Sequence, residues 1–401
     1  MKKIWGLIVS ILIVASVFVG AWMLFGARKQ ENEVPKTSIE EKIEEKLGGM
    51  SLEEKVGQMI IMTNDEKSLT RAFYEEILDV RPGGFILMVP NITTYAATKK
   101  MLGEIDALSR EKMGLPMILA TDEEGGNVQR LLYVEDKEAT NIPYMYDVGK
   151  TGDERLAFSV GEVIGKETRS LGLNLTFAPD VDIFSNPENE VIGRRSFGED
   201  KEVVTKMALA TARGIESAGV GTAYKHFPGH GDTAVDSHAG LPVLNKSWEE
   251  LSDFELYPFG RAIEAGAEMI MVGHIALVEG GEPASLSREA VTEVLRGKLG
   301  FLGLAVTDAL NMGAVTEKYT DEEMAVKAVL AGEDLLLMPR DAKVAREAIV
   351  GAVKNGEIEV SRIDEAVRRI LKYKYEKLEN FTPGSEAEFG GHEEAVRLGR
   401  D

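Results

Sequence analysis

The chain has 401 residues, with 67 acidic against 46 basic side chains and a formal net charge of −21. That balance argues against a nucleic-acid binder, which needs a basic face. The absence of cysteine excludes disulfides, thiol catalysis and thiolate metal sites. With 44% apolar and 28% charged residues, the body is that of a globular protein long enough to bury a large core.

Lys2 and Lys3 precede residues 4–27, IWGLIVSILIVASVFVGAWMLFGA, which hold no charge in 24 positions. That length spans a bilayer core of about 30 Å and exceeds the roughly 7–15 residues of a cleaved signal's apolar region. The expectation is a transmembrane signal-anchor that holds the body at the cell membrane on its extracytoplasmic side. Secretion after cleavage near Ala21 is the alternative. Residues 28–49 are polar and acidic and read as a stalk that turns into a helix.

From residue 50 onward, short apolar runs recur: VGQMIIM (56–62), GGFILM (83–88), PMILAT (116–121), LNLTFA (173–178), GTAY (221–224), MIMVG (269–273), LAVT (304–307) and DLLLMP (334–339). Near-continuous hydrophobicity suits strands buried on both faces. Between them lie helical patterns at 153–172, 201–219 and 321–333, whose apolar residues return at three and four. The alternation predicts an α/β fold with a parallel sheet, and eight units over residues 50–380 predict a single (β/α)8 TIM-type barrel. Residues 359–380 form an amphipathic pattern, and 381–401 read as a tail.

In such a barrel the chemistry gathers at the carboxyl ends of the strands. Asp122, then Asp180 and Asp182, then Lys225 and His226, then His274 and Asp308 follow successive runs. The segment KHFPGHGDTAVDSH, 225–238, also holds three of the chain's five histidines. Metal ligation by His226, His230 and His238 is one reading, but Pro228 and Gly229 disrupt the helix that would align the first two. A phosphate cradle lacks the Gly-Lys-Ser/Thr that should follow. Acid–base chemistry fits more of the residues. Asp236 and His238 stand two apart, on one side of an extended segment, where a carboxylate orients an imidazole and favours its cation. TDEEGGNVQRL, 121–131, reads as a loop in which Asp122 and Arg130 suit sugar hydroxyls. VIGRRSFGED, 191–200, adds Arg194 and Arg195, and Asp308 sits in an otherwise apolar run, where a carboxylate is costly unless paired or used.

Taken together, SLEEKVGQM, TDEEGGNVQRL, FAPDVDIFSNPENEVIGRRSFG, KHFPGHGDTAVDSH and VTDALNMGAV resemble glycoside hydrolase family 3, in its β-N-acetylhexosaminidase branch, from about residue 50 to 380. The resemblance implies Asp308 as nucleophile, His238 as general acid/base and Asp236 as its partner. It implies Asp122, Arg130, Arg195, Lys225 and His226 as substrate-binding residues, with His230 and His274 lining the site. Relatives carry other residues where this chain has Glu123 and Asn127, neither of which is a matched functional position. The implied reaction is retaining exo-hydrolysis of a terminal β-linked N-acetylglucosamine, with no metal or cofactor. Substrates would be peptidoglycan fragments (muropeptides) or chitooligosaccharides, met by a monomer. Phosphorolysis and a catalytically silent, membrane-anchored glycan-binding protein are the alternatives. The tail residues HEEAVRLGRD resemble the opening helix of a second domain present in some relatives.

Overall fold

The computed structural model describes residues 38–233 and 240–398. The chain divides into two units, 1–42 and 43–401. Of the first, residues 38–42 are described, and they open the helix Ile39–Gly49. The expected membrane segment, 4–27, lies outside the described residues. Among the described residues no helix is long and apolar enough to cross a membrane.

The second unit is built on short, buried, parallel strands. β1 is Ile60–Met62, β2 Gly84–Ile86 and β3 Ile118–Thr121. A hairpin of β4, Glu123–Gly125, and β5, Val128–Gln129, follows at once. Then come β6 Leu175–Thr176, β7 Gly221–Thr222, β8 Tyr224–Phe227, β9 Met269–Val272, β10 Leu304–Thr307 and β11 Leu336–Leu337. Each predicted apolar run contributes a strand, because residues such as Ile60, Ile61, Leu119, Leu175, Ile270 and Ala305 lie at or below 2% exposure and find apolar cover on both faces.

The pairing runs in two arcs. One is six-stranded, in the order β11-β1-β2-β3-β6-β7, and the other three-stranded, β10-β9-β8. Single bridges join their ends: Asp180 with Lys225, and Val306 with Leu335. The expected (β/α)8 barrel is therefore met as a curled parallel α/β sheet. Strands of two to four residues are too short for one unbroken ladder to run through all of them. Two boundaries also differ from expectation. Residues 56–58 belong to the helix Leu52–Gln58, whose capping box pairs Ser51 with Glu54 and fixes the helical start. Lys225 and His226 lie inside β8 rather than after it.

Two helices lie close behind this sheet, Glu154–Leu171 before β6 and Lys201–Ser217 before β7. Asp153 and Asp200 cap their first turns, as small acidic residues do by accepting orphan N–H groups. The helices meet backbone to backbone. A Cβ placed on Gly161 would lie 2.0 Å from the Thr211 carbonyl oxygen, and one on Gly214 2.1 Å from that of Phe158. Residues 386–396 form a short 3-10 turn and further turns instead of a helix. They lie against the body: the Phe389 ring stands 5.2 Å from Tyr95, and Val396 is buried in the core.

The glycine contact yields a stability prediction. Gly161→Ala inserts a methyl group where no space exists and should destabilise the fold by about 1–3 kcal/mol, the usual cost of overpacking. Denaturant unfolding should show it, whereas Gly351→Ala, with open space around it, should not be destabilised by a clash.

Candidate active site

A cavity of about 430 Å³ opens at the carboxyl ends of the strands. Asp122, Arg130, Arg195, Lys225, His226, His230 and Asp308 line it, so six predicted functional residues and His230 come together. Met88, Met312 and Met338 line its apolar side. Asp236 and His238 lie outside the described residues, which stop at Thr233 and resume at Gly240.

A buried ion network holds the polar side. Lys225 Nζ lies 2.5 Å from Glu124 Oε1 and 3.0 Å from Asp122 Oδ1. Arg195 grips Glu124 with two bonds of 2.9 Å, from Nε and Nη2. Burial opposes the charge on Glu124, but Arg195 and Lys225 outweigh it and hold the carboxyl well below the ordinary range. Arg130 stands further off, with Nη2 3.7 Å from Asp122 and its Nε buried without a hydrogen-bond partner among the described residues.

Behind this network stand Asp180 and Asp182, both buried. Asp182 accepts from the His230 backbone N–H at 2.6 Å and pairs with His226 Nδ1 at 2.7 Å. Asp180 accepts the Asp182 N–H on Oδ1, while its Oδ2 has no hydrogen-bond partner among the described residues. Burial and the neighbouring Asp182 push Asp180 up to about 8, and burial raises the Asp182 carboxyl as well. Burial also pushes His226 and His230 down to about 4, which leaves both rings neutral. Asp180, Asp182 and His226 bring possible metal-ligand atoms within 4.8 Å of one another. Arg195 already supplies positive charge there, 3.7 Å from Asp180 and 3.4 Å from His226 Nε2, and Asp182 occupies His226 Nδ1.

Asp308 follows β10, with its N–H bonded to the Val272 carbonyl at 2.8 Å and its Oδ1 accepting the Ala309 N–H at 2.8 Å. Burial opposes its ionisation. The His274 and His226 rings, the Ala309 N–H and Lys225 outweigh this and keep the carboxyl below its ordinary range. Among the described residues Asp308 makes no ion pair, unlike Asp122 and Glu124. His274 is fully buried behind it and bonds Ser285 Oγ at 2.7 Å and the Ala309 carbonyl at 2.9 Å, so it supports the Asp308 turn rather than lining the cavity.

Sequence reasoning did not single out Glu124, and it listed Asp182 without a role. The DEEGG run places three acids in a row, and the alternation of a strand sends only the first and third to one side. The expected 121–131 loop is in fact the β4–β5 hairpin. Glu123 turns inward to hold it, accepting from the backbone N–H groups of Arg130 at 2.8 Å and Leu131 at 3.0 Å.

A parallel α/β sheet with carboxylates, imidazoles and paired cations around a cavity at its carboxyl end has the form of a glycosidase core. Residues 51–373 match the glycosyl hydrolase family 3 N-terminal domain, and the chain belongs to that family. It is 35% identical over 319 residues to the beta-hexosaminidase A of Pseudoalteromonas piscicida, covering 73% of this chain and 53% of that protein. It thus spans about half the length of that relative. The beta-hexosaminidase of Nitrosospira multiformis is 32% identical over 292 residues, which cover 71% of this chain and 79% of that one. The solved family 3 beta-N-acetylglucosaminidase of Paenibacillus sp. str. FPU-7 superposes with a TM-score of 0.79 at 35% identity, covering 86% of this chain and 68% of that one.

Glu123 generates a pH prediction. Burial pushes its carboxyl from 4.5 up to about 8. A folded-state value above the unfolded one stabilises the protein fully below pH 4.5, and that share is lost as pH rises through about 8. Glu123→Gln, which is neutral throughout, should gain thermal stability relative to the natural chain as pH is raised across this window. A difference in melting temperature that does not change with pH would refute the assignment.

Proposed function

We propose that this chain is a retaining exo-β-N-acetylglucosaminidase. The observation that carries the reading is Asp308: a half-buried, ionised carboxylate in the cavity, free of ion pairs among the described residues. Charge already neutralised by a salt bridge makes a poor nucleophile, and Asp122 and Glu124 are neutralised in that way. An Asp308 oxygen attacks the anomeric carbon as the glycosidic C–O bond breaks, giving a covalent glycosyl-enzyme. His238, oriented by Asp236, gives its proton to the departing oxygen and then takes one from the water that cleaves the ester. Lys225, His226, Arg195, Asp122 and Arg130 hold the sugar. The substrate carries a terminal N-acetylglucosamine, on a muropeptide or a chitooligosaccharide. The names of the similar proteins support that class. We further infer that the two sheet arcs form a (β/α)8 barrel, and that residues 4–27 hold the enzyme at the membrane with its catalytic body outside the cytoplasm.

Three outcomes test this. Asp308→Asn should lower turnover of an aryl β-N-acetylglucosaminide at least about 10³-fold with the fold intact. Turnover near that of the natural enzyme would remove Asp308 from the nucleophile's role. His238→Ala should slow a disaccharide by roughly 10²–10⁴-fold, because a sugar alkoxide needs its proton in the transition state. A nitrophenyl sugar should form the glycosyl-enzyme with far smaller loss, and azide should release it as a β-azide. Equal loss on both substrates without azide rescue would make His238 a binding residue. Protease added to intact cells should remove the catalytic body; full protection would place it inside.

A further inference from the structure

Asp182 gathers more donors than any reading of its sequence position suggests. Its Oδ1 accepts from the His230 backbone N–H at 2.6 Å. Both of its oxygens stand 3.3 Å from the His226 backbone nitrogen, and Oδ2 stands 2.7 Å from His226 Nδ1. The residue is fully buried, so water cannot take the place of any of these partners. The whole stretch 180–189 forms a bed for the chain from His226 to Thr233. Val181 N–H donates to the Lys225 carbonyl at 2.7 Å, and Asn189 Nδ2 donates to the His230 carbonyl at 2.7 Å. A Cβ on Gly231 would lie 1.8 Å from the Ile183 oxygen, so the loop rests directly on that backbone.

Two features decide where the imidazole proton lies. Backbone N–H groups only donate, so they draw acceptor behaviour from both Asp182 oxygens. On the other side of the ring, Arg195 Nη2, which also only donates, stands 3.4 Å from His226 Nε2. A proton on Nδ1 and a lone pair on Nε2 satisfies both neighbours. The opposite tautomer sets two N–H groups face to face and leaves Nδ1 and the carboxylate with no proton between them. Burial, which keeps the ring neutral, agrees with this geometry.

We propose that Asp182 is a positioning residue that locks His226 as its Nδ1–H tautomer. Nε2 then meets the cavity as an acceptor: Arg195 Nη2, bonded to Glu124 at 2.9 Å, stands off at 3.4 Å, so a sugar hydroxyl that donates from a shorter distance takes the Nε2 lone pair. The same carboxylate also holds the backbone at His226 and His230. The selection of a hydroxyl rests on the proposed sugar-binding function; the tautomer does not.

The test begins with ¹⁵N spectra of the full chain carrying labelled histidine, with the His226 signals assigned through His226→Gln. Between pH 6 and 8, Nδ1 should be protonated and Nε2 bare. An Nε2–H tautomer or a doubly protonated ring in that range overturns the proposal. Binding of monodeoxy and monofluoro N-acetylglucosamines then reads the selection, since fluorine accepts a hydrogen bond but cannot donate one. At the hydroxyl facing His226 both analogues should bind roughly 10- to 100-fold more weakly, the scale of losing one buried hydrogen bond. Asp182→Asn offers one acceptor oxygen in place of two. It should disturb the tautomer and narrow that difference, while the preference at hydroxyls facing Asp122 persists. An Asp182→Asn chain that folds with unchanged tautomer and unchanged selectivity overturns the role of Asp182. If no sugar binds although the Nδ1–H tautomer is present, hydroxyl selection and the proposed function fall together, and the lock itself stands.

Discussion

Glu124 meets Arg195 on one side and Lys225 on the other with almost no contact with water, and Asp122, Asp180 and His226 stand beside that junction. Three charges so far from solvent are tolerated only because each satisfies the others. Removing one partner from such a cluster costs about 3–5 kcal/mol, since an uncompensated charge remains. The junction also dictates its surroundings. Arg195 brings positive charge up to Asp180 and His226, and Lys225 brings it up to Asp122. The neighbouring carboxyls differ in their partners: Asp182 accepts N–H groups, Asp180 accepts the Asp182 N–H, and Asp308 keeps its charge unpaired among the described residues.

The strand positions were legible because burial on both faces leaves short, near-continuous apolar runs, set apart by length from the 24-residue apolar stretch at 4–27. The site residues after those runs were legible for a related reason. A lone Asp308 behind LAVT, or Asp122 behind PMILAT, interrupts hydrophobicity where a sheet ends. Glu124 was not legible, because it sits among Asp122 and Glu123 and only the hairpin's alternation separates their roles. The role of Asp182 was hidden differently: its donors are backbone N–H groups of residues more than forty positions away, which no side-chain pattern records. His274 misled in the opposite sense. It follows β9 like the others, yet it turns to Ser285 and the Ala309 carbonyl and serves the turn that carries Asp308. The ladder's division into two arcs was likewise beyond the sequence, since hydrophobicity marks a strand but not which hydrogen bonds it completes.

The cavity has two unlike sides. One is a fixed array of charges and donors; the other presents Met88, Met312 and Met338, unbranched side chains that fit irregular apolar shapes. A pyranose has the same division, with hydroxyls around its rim and C–H groups on its faces. On the proposed function, the polar array reads the rim and the methionines meet a face.

The close contact of the two helices behind the sheet has a mechanical meaning. The helix Glu154–Leu171 leads into β6 and hence to Asp182; the helix Lys201–Ser217 leads into β7 and β8 and hence to His226. Where side chains separate two helices, a change of rotamer alters their spacing. Here Gly161 and Gly214 remove the side chains, and the spacing is set by backbone atoms touching backbone atoms. Such a contact has almost no compliance. It acts as a shim behind the sheet, transmitting to a hydrogen bond of 2.7 Å between Asp182 and His226 a tolerance that flexible packing could not maintain.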